Sequence, residues 1–163
     1  MARRVFFSFH YERDIWRANQ VRNSWVSKPD RETAGFWDAA SWEQVKKEGD
    51  DAIRSWINNQ LANTSVTAVL IGAETSNREW VRYEIQKSIE RSNGLVGIYV
   101  HNIKDQFGKT DTPGNNNFGE IEKDNSGNPI YFWQRYQTYD WVNDNGYHKL
   151  GSWVEEVAKK AGK

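Results

Sequence analysis

Two side chains four residues apart, Trp80 and Glu84, carry the most specific chemistry in this sequence. On a helix that spacing sets both on one face. An indole offers a flat surface on which a heteroaromatic ligand stacks. A carboxylate beside it can hydrogen-bond sugar hydroxyls or stabilise a cationic transition state. Phe9-His10-Tyr11 and Trp37-Asp38 follow two apolar segments and extend this aromatic and acidic set. Plain structural roles stand beside the chemical ones. On pattern alone Glu84 is an ordinary solvated helix residue and Trp80 a rim packer. His10, His101 and His148 lack metal-ligand spacing and read as surface or capping residues. Glu43, Glu48, Asp50 and Asp51 read as an acidic cluster at a helix start.

The elements that must position these residues follow from hydrophobic pattern. Val5-Phe6-Phe7-Ser8-Phe9, Val66 to Ile71 and Leu95 to Val100 are short apolar runs without strict alternation, the pattern of central parallel strands covered on both faces. Residues 34–38 and 136–140 are weaker candidates for flanking strands. Between them Ile15, Ala18, Val21, Arg22 and Trp25 keep helical spacing, as do Ile53, Trp56, Ile57 and Leu61, and again Val81, Ile85, Ser88 and Ile89. On this reading Trp80 and Glu84 flank the core stripe of the third helix. Ser76 with Glu79 predicts a capping box at its start, and Asn93-Gly94 its stop. Ser152 with Glu155 predicts the same device for a last helix carrying Trp153, Val154, Val157 and Ala158. Strand and helix thus alternate from end to end, which predicts a single α/β domain over 1–163, doubly wound around a parallel sheet of about five strands. The one irregular stretch, 102–135, is rich in Asn, Gly and Asp and reads as a long polar loop near the cleft. Phe118 and Ile130 are expected to dock it in part on the domain. Its apolar residues look too sparse to form a core, so shortening it is expected to preserve folding.

Composition closes off several classes. With no cysteine there is no disulfide, thiolate metal site or cysteine nucleophile. Lys and Arg number 22, as do Asp and Glu, which argues against a dedicated nucleic-acid binder. No apolar run approaches the roughly 18 residues of a membrane span, and the expected compartment is the cytoplasm. No Gly-rich turn follows the first strand, so a dinucleotide fingerprint and a P-loop are both missing. Ser8-Phe9-His10-Tyr11-Glu12 lacks the small hydroxyl residues of a flavin-phosphate loop. The third strand ends Ile71-Gly72-Ala73-Glu74, without a receiver's phospho-acceptor aspartate, and no Gly-x-Ser-x-Gly elbow occurs.

Three segments carry a family resemblance that spans essentially the whole chain. Val5-Phe6-Phe7-Ser8-Phe9-His10-Tyr11-Glu12-Arg13-Asp14 resembles the first box of a TIR domain. Trp80-Val81-Arg82-Tyr83-Glu84 resembles the Trp-x-x-x-Glu segment of NAD-cleaving TIR domains. Thr138-Tyr139-Asp140-Trp141-Val142-Asn143-Asp144-Asn145-Gly146-Tyr147 resembles the bacterial and archaeal TIR-like branch that includes the TIR component of the Thoeris antiphage defence system. The resemblance implies a flavodoxin-like three-layer sandwich and cleavage of the bond between nicotinamide and ribose in NAD⁺. It implies Glu84 as catalytic residue. Around it Ser8, Phe9, His10, Tyr11, Trp37, Asp38 and Trp80 are expected to bind substrate. NAD⁺ is then consumed as substrate, with no separate cofactor and no metal. The implied product is a cyclic ADP-ribose-type signal read by a separate effector protein, with self-association or a phage-derived trigger as further partners. The alternative is a non-catalytic TIR-like interaction module acting by self-association. An adaptor has no reason to keep the Trp80 and Glu84 pair, which favours the enzyme.

Overall fold

A computed structural model of the chain describes residues 3–36 and 39–163. Trp37 and Asp38, two expected substrate contacts, lie outside the described residues. Five parallel strands form the central sheet in the order β2-β1-β3-β4-β7: β1 (Arg3–Ser8), β2 (Arg31–Ala34), β3 (Val66–Ile71), β4 (Gly94–Tyr99) and β7 (Thr138–Asp140). The chain runs outward from β1 to one edge and then crosses to build the other. The strand order therefore reverses at β1 and β3, and a crevice opens at their carboxyl ends.

Side-chain alternation along β1 assigns the two faces. Val5, Phe7 and Phe9 point to one face, where α1 (Tyr11–Val26) and α6 (Gly146–Lys160) bring Ala18, Val21 and Trp25 and Leu150, Trp153 and Val154. Phe6 points to the other face, against Ile53, Ile57 and Leu61 of α3 (Asp50–Leu61). Val69, Ile71 and Leu95 on that same side receive Val81 and Ile85 of α4 (Glu79–Glu90). Two helices per face make three layers, the α/β architecture expected of the sequence. By the same alternation Ser8 stands with Phe6, beneath α3 and α4. That position decides the site.

Several local expectations need correction. The second strand lies at Arg31–Ala34, upstream of 34–38. Its Arg-Glu-Thr-Ala sequence is polar, as an edge strand tolerates, so hydrophobicity did not mark it. Ser76 does not cap α4. It sits in a single 3-10 turn, Thr75–Asn77, and the N-cap is Arg78, which makes no side-chain capping bond. Asn93-Gly94 is not the stop of α4 either. The helix ends at Glu90, Asn93 binds Thr64 and Thr67, and Gly94 already opens β4. Ser152 and Glu155 lie inside α6, which starts after a left-handed Asn145, while Glu155 forms a bidentate pair with Arg3 at 2.9 Å on both oxygens. A helix, α2 (Ala39–Glu48), precedes α3 where only an acidic start had been read, although Asp50 and Asp51 do occupy the first turn of α3.

The largest correction concerns 102–135. It contains an antiparallel pair, β5 (Glu120–Lys123) and β6 (Pro129–Tyr131), and a short helix, α5 (Phe132–Arg135), in a small sheet separate from the central one. Phe118, Ile121 and Phe132 are almost fully buried and join Val81 and Ile85 in one cluster, with Ile130 packed against it. Gln86 on α4 donates to the carbonyls of Glu120 and Ile121. Docking through Phe118 and Ile130 is as expected, but sparse apolar residues here are core residues. Phe107, by contrast, is 76% exposed. No helix among the described residues is long and apolar enough to cross a membrane.

Candidate functional site

The cleft at the carboxyl end of β1 is lined by Phe9, His10, Tyr11 and Glu12 from the β1–α1 turn. Trp42 of α2, Ile53 and Ile57 of α3, and Arg78, Trp80, Val81 and Glu84 around the start of α4 close it. The free space within it is about 30 Å³, on the scale of a water molecule.

Glu84 sits at its base, only 6% exposed. Ser8, fully buried at the last position of β1, donates its hydroxyl to Glu84 Oε1 at 2.7 Å. Ser8 is the only side-chain hydrogen-bond partner of Glu84 among the described residues. Among the described residues no cation is within ion-pair distance of it. Burial pushes the Glu84 carboxyl up to about 8, and the Ser8 hydrogen bond opposes that rise. Glu84 thus belongs to the inward stripe of α4 with Val81, Ile85 and Ser88 and does not flank it. The spacing held that signal: Glu84 lies three residues after Val81 and four before Ser88, where a core position falls.

Trp80, one turn earlier, stands half-buried at the wall of the cleft. Tyr83 meets its ring edge-on at 5.8 Å and the Arg54 guanidinium lies 5.7 Å from its centroid. Phe9 packs its ring on Phe36 at 5.1 Å and Tyr11 faces Trp42 at 5.6 Å. His10 is the N-cap of α1, its Nδ1 accepting the Arg13 backbone N–H at 3.4 Å. The capping role read from sequence is therefore real, and the same ring lines the cleft. Burial first, then the nearby Arg78 cation, lowers the His10 pKa, so the ring is held neutral.

The structure thus brings Phe9, His10, Tyr11, Trp80 and Glu84 together. Ser8 stands behind Glu84 and does not line the cleft. Sequence reasoning missed Arg78, Trp42, Ile53 and Ile57. Arg78 was legible as a cation two residues before Trp80, whereas Trp42 carries no local signal because its helix was not read.

Comparison with known proteins shows the family of the chain. The family description "Thoeris protein ThsB, TIR-like domain" matches residues 6–105, which run from the second half of β1 through β4 and include every described residue of the cleft. The chain belongs to the ThsB TIR-like family. A relative from Bacillus cereus (strain MSX-D12), named "Putative cyclic ADP-D-ribose synthase ThsB1", is 41% identical to this TIR-like chain, covering 94% of the chain and 100% of the relative. The match to that relative extends beyond the family region, so it takes in nearly all of the TIR-like chain, the 102–135 segment among it.

Proposed function

We propose that this protein cleaves the nicotinamide–ribose bond of NAD⁺ and converts the remainder into a cyclic ADP-ribose-type signal for a separate effector in antiphage defence. The observation that carries this reading is Glu84: a carboxyl group buried without a cation at the base of an aromatic-lined cleft. The name of the Bacillus relative supports the same reaction class. A carboxyl perturbed by desolvation in a cleft, outside any ion-pair network, is a candidate for a functional site. A non-catalytic interaction module gives no reason for a buried carboxyl in that setting.

In this reading Trp80 and the Phe9–Tyr11 turn receive the nicotinamide and its ribose. The pyridinium arrives as a cation, and its charge favours the ionised form of Glu84, whose proton passes to solvent as the substrate is seated. As the glycosidic bond breaks, its electron pair passes to the pyridine nitrogen and nicotinamide leaves neutral, so no general acid is needed. The ribose C1′ becomes oxocarbenium-like, and the Glu84 carboxylate, aimed by Ser8, stabilises that charge. Attack on C1′ by an atom of the substrate itself closes a ring, whereas attack by water gives ADP-ribose. NAD⁺ is the substrate, and the reaction needs no further cofactor.

The test is chromatography and mass spectrometry of NAD⁺ incubated with the purified chain, and of filtrates from phage-infected cells expressing it. Nicotinamide release with an ADP-ribose isomer, absent in Glu84→Gln, is the expected result. Equal product from the variant would remove Glu84 from catalysis.

A further inference from the structure

The carboxylates around the β1–α1 turn already hold cations. Glu12 takes Lys46 at 3.6 Å, Glu74 takes Arg13 at 3.3 Å, and Asp111 takes Arg13 at 2.9 Å and Arg17 at 3.7 Å. Arg78 is left over. It lines the same cleft as Glu84 and is partly withdrawn from water. Among the described residues no carboxylate lies within ion-pair distance of it, and its guanidinium makes no hydrogen bond. Its charge is felt nonetheless, since it is the chief electrostatic reason that His10 is neutral. The site therefore presents one uncompensated fork of N–H donors beside one neutral imidazole. A guanidinium in that state offers a bidentate fit to the oxygen pair of a phosphate or a carboxylate, and a dinucleotide supplies the phosphates.

Arg78 is the N-cap of α4, six residues before Glu84, a separation of about 9 Å along the helix axis. One ribose 5′-phosphate unit together with the reach of an arginine side chain covers that distance. We propose that Arg78 receives the pyrophosphate of a dinucleotide whose ribose sits over Glu84, so that the cleft selects phosphate-bearing substrates over bare nucleosides. This rests on the NAD⁺ reading for the position of the ribose, though the anion subsite itself stands on the unpaired cation.

The experiment is titration calorimetry of the full chain with ADP-ribose and with nicotinamide riboside, for the parent, Arg78→Gln and Arg78→Lys, and KM and kcat for NAD⁺. The Lys160→Gln variant, on α6 and away from the cleft lining, serves as a control for the loss of one positive charge. Arg78→Gln should weaken ADP-ribose about tenfold or more and leave nicotinamide riboside unchanged. Arg78→Lys should recover part of the loss, and KM for NAD⁺ should rise with kcat held. A parent that binds no ADP-ribose, or a variant that weakens both ligands equally or neither, overturns the proposal. NAD⁺ cleavage with an unchanged KM in Arg78→Gln would retain the catalytic reading and discard the subsite. Arg78-dependent ADP-ribose binding without NAD⁺ cleavage would do the reverse.

Discussion

Two carboxyl groups are buried at the carboxyl ends of the central strands, Asp14 on α1 and Glu84 on α4, and they are treated in opposite ways. Asp14 is fully buried against the backbone of Gly72, in the field of Arg17 and Arg13. One of its oxygens accepts a long bond from Thr75 at 3.4 Å, and the other has no partner among the described residues. Burial and, to a lesser degree, the Asp111 carboxylate raise it to about 6, with Arg17 and Arg13 pulling down. Above it lies the first part of the 102–135 segment. Arg17 donates to the carbonyls of Ile103 and Lys109, Arg13 grips Asp111 at two points, and a Cβ at Gly114 would collide with the carbonyl of Gly72. Glu84 has no such cations and no such cover. It has one hydroxyl and an open cleft. A buried carboxyl that the fold surrounds with cations serves the fold, whereas one left uncompensated at an opening serves a ligand that brings its own charge.

The comparison breaks most sharply at Glu84→Gln against Asp14→Asn. The first should lower nicotinamide release about a hundredfold or more, the usual cost of one preorganised electrostatic group, ~2.7–4 kcal/mol. The second should leave release within about threefold. A large loss in Asp14→Asn with the fold intact, seen by near-UV circular dichroism, would erase the distinction.

Loss of Phe118 to Ala should cost about 3–5 kcal/mol by chemical denaturation, because it is a buried ring in the cluster behind α4. A Gly-Ser replacement of 104–131 should therefore fail to fold, contrary to the expectation from composition. Trp80→Ala, at a half-buried ring, should cost less stability than Phe118→Ala but more activity, read as the ratio of kcat/KM to melting-temperature change.

The pH dependence of stability gives the next test. The folded-state carboxyl of Glu84 lies above its ordinary 4.5, at about 8. Between those pH values the native chain holds a proton the unfolded chain has released, so stability falls as pH rises through that window. Glu84→Gln should remove that fall, making the variant more stable than the parent at pH 9 by a few kcal/mol in order of magnitude while the two converge near pH 4. Asp14 contributes the same sign over a lower and narrower window, from 3.8 to about 6. Ser8→Ala should shift the acid limb of the kcat/KM profile to higher pH, since the bond it removes favours the ionised form. At pH 7 the rate should drop about tenfold, in line with one hydrogen bond to a charged group. An unshifted limb would leave Ser8 a packing residue. The smallest effect is expected at the cover: Asp111→Asn should cost about 1 kcal/mol or less with nicotinamide release unchanged.

What the sequence made legible follows from how each region is solvated. β3 was read to the residue because every one of its side chains is buried. Glu84 and Trp80 were found by residue type and spacing, yet the burial of Glu84 went unread because a carboxylate on a helix is ordinarily solvated. The helix caps failed where backbone geometry did the work, at Arg78 and at the left-handed Asn145. The 102–135 segment failed for a related reason. Its polar residues form turns in which the Asp105 and Asp124 carboxylates accept nearby backbone N–H groups, and composition registers those turns. The few apolar residues between them do the docking. In such a stretch a single phenylalanine outweighs its polar neighbours.

The two edges of the central sheet have a consequence for assembly. β2 contributes four residues, two of them charged, and β7 only three, one of them an aspartate. Edges so short and charged are poor templates for another strand. Copies of this chain will not polymerise by extending one sheet into the next. Any higher-order form must be built through side chains on helices and loops, where single substitutions can dissolve it without touching the fold.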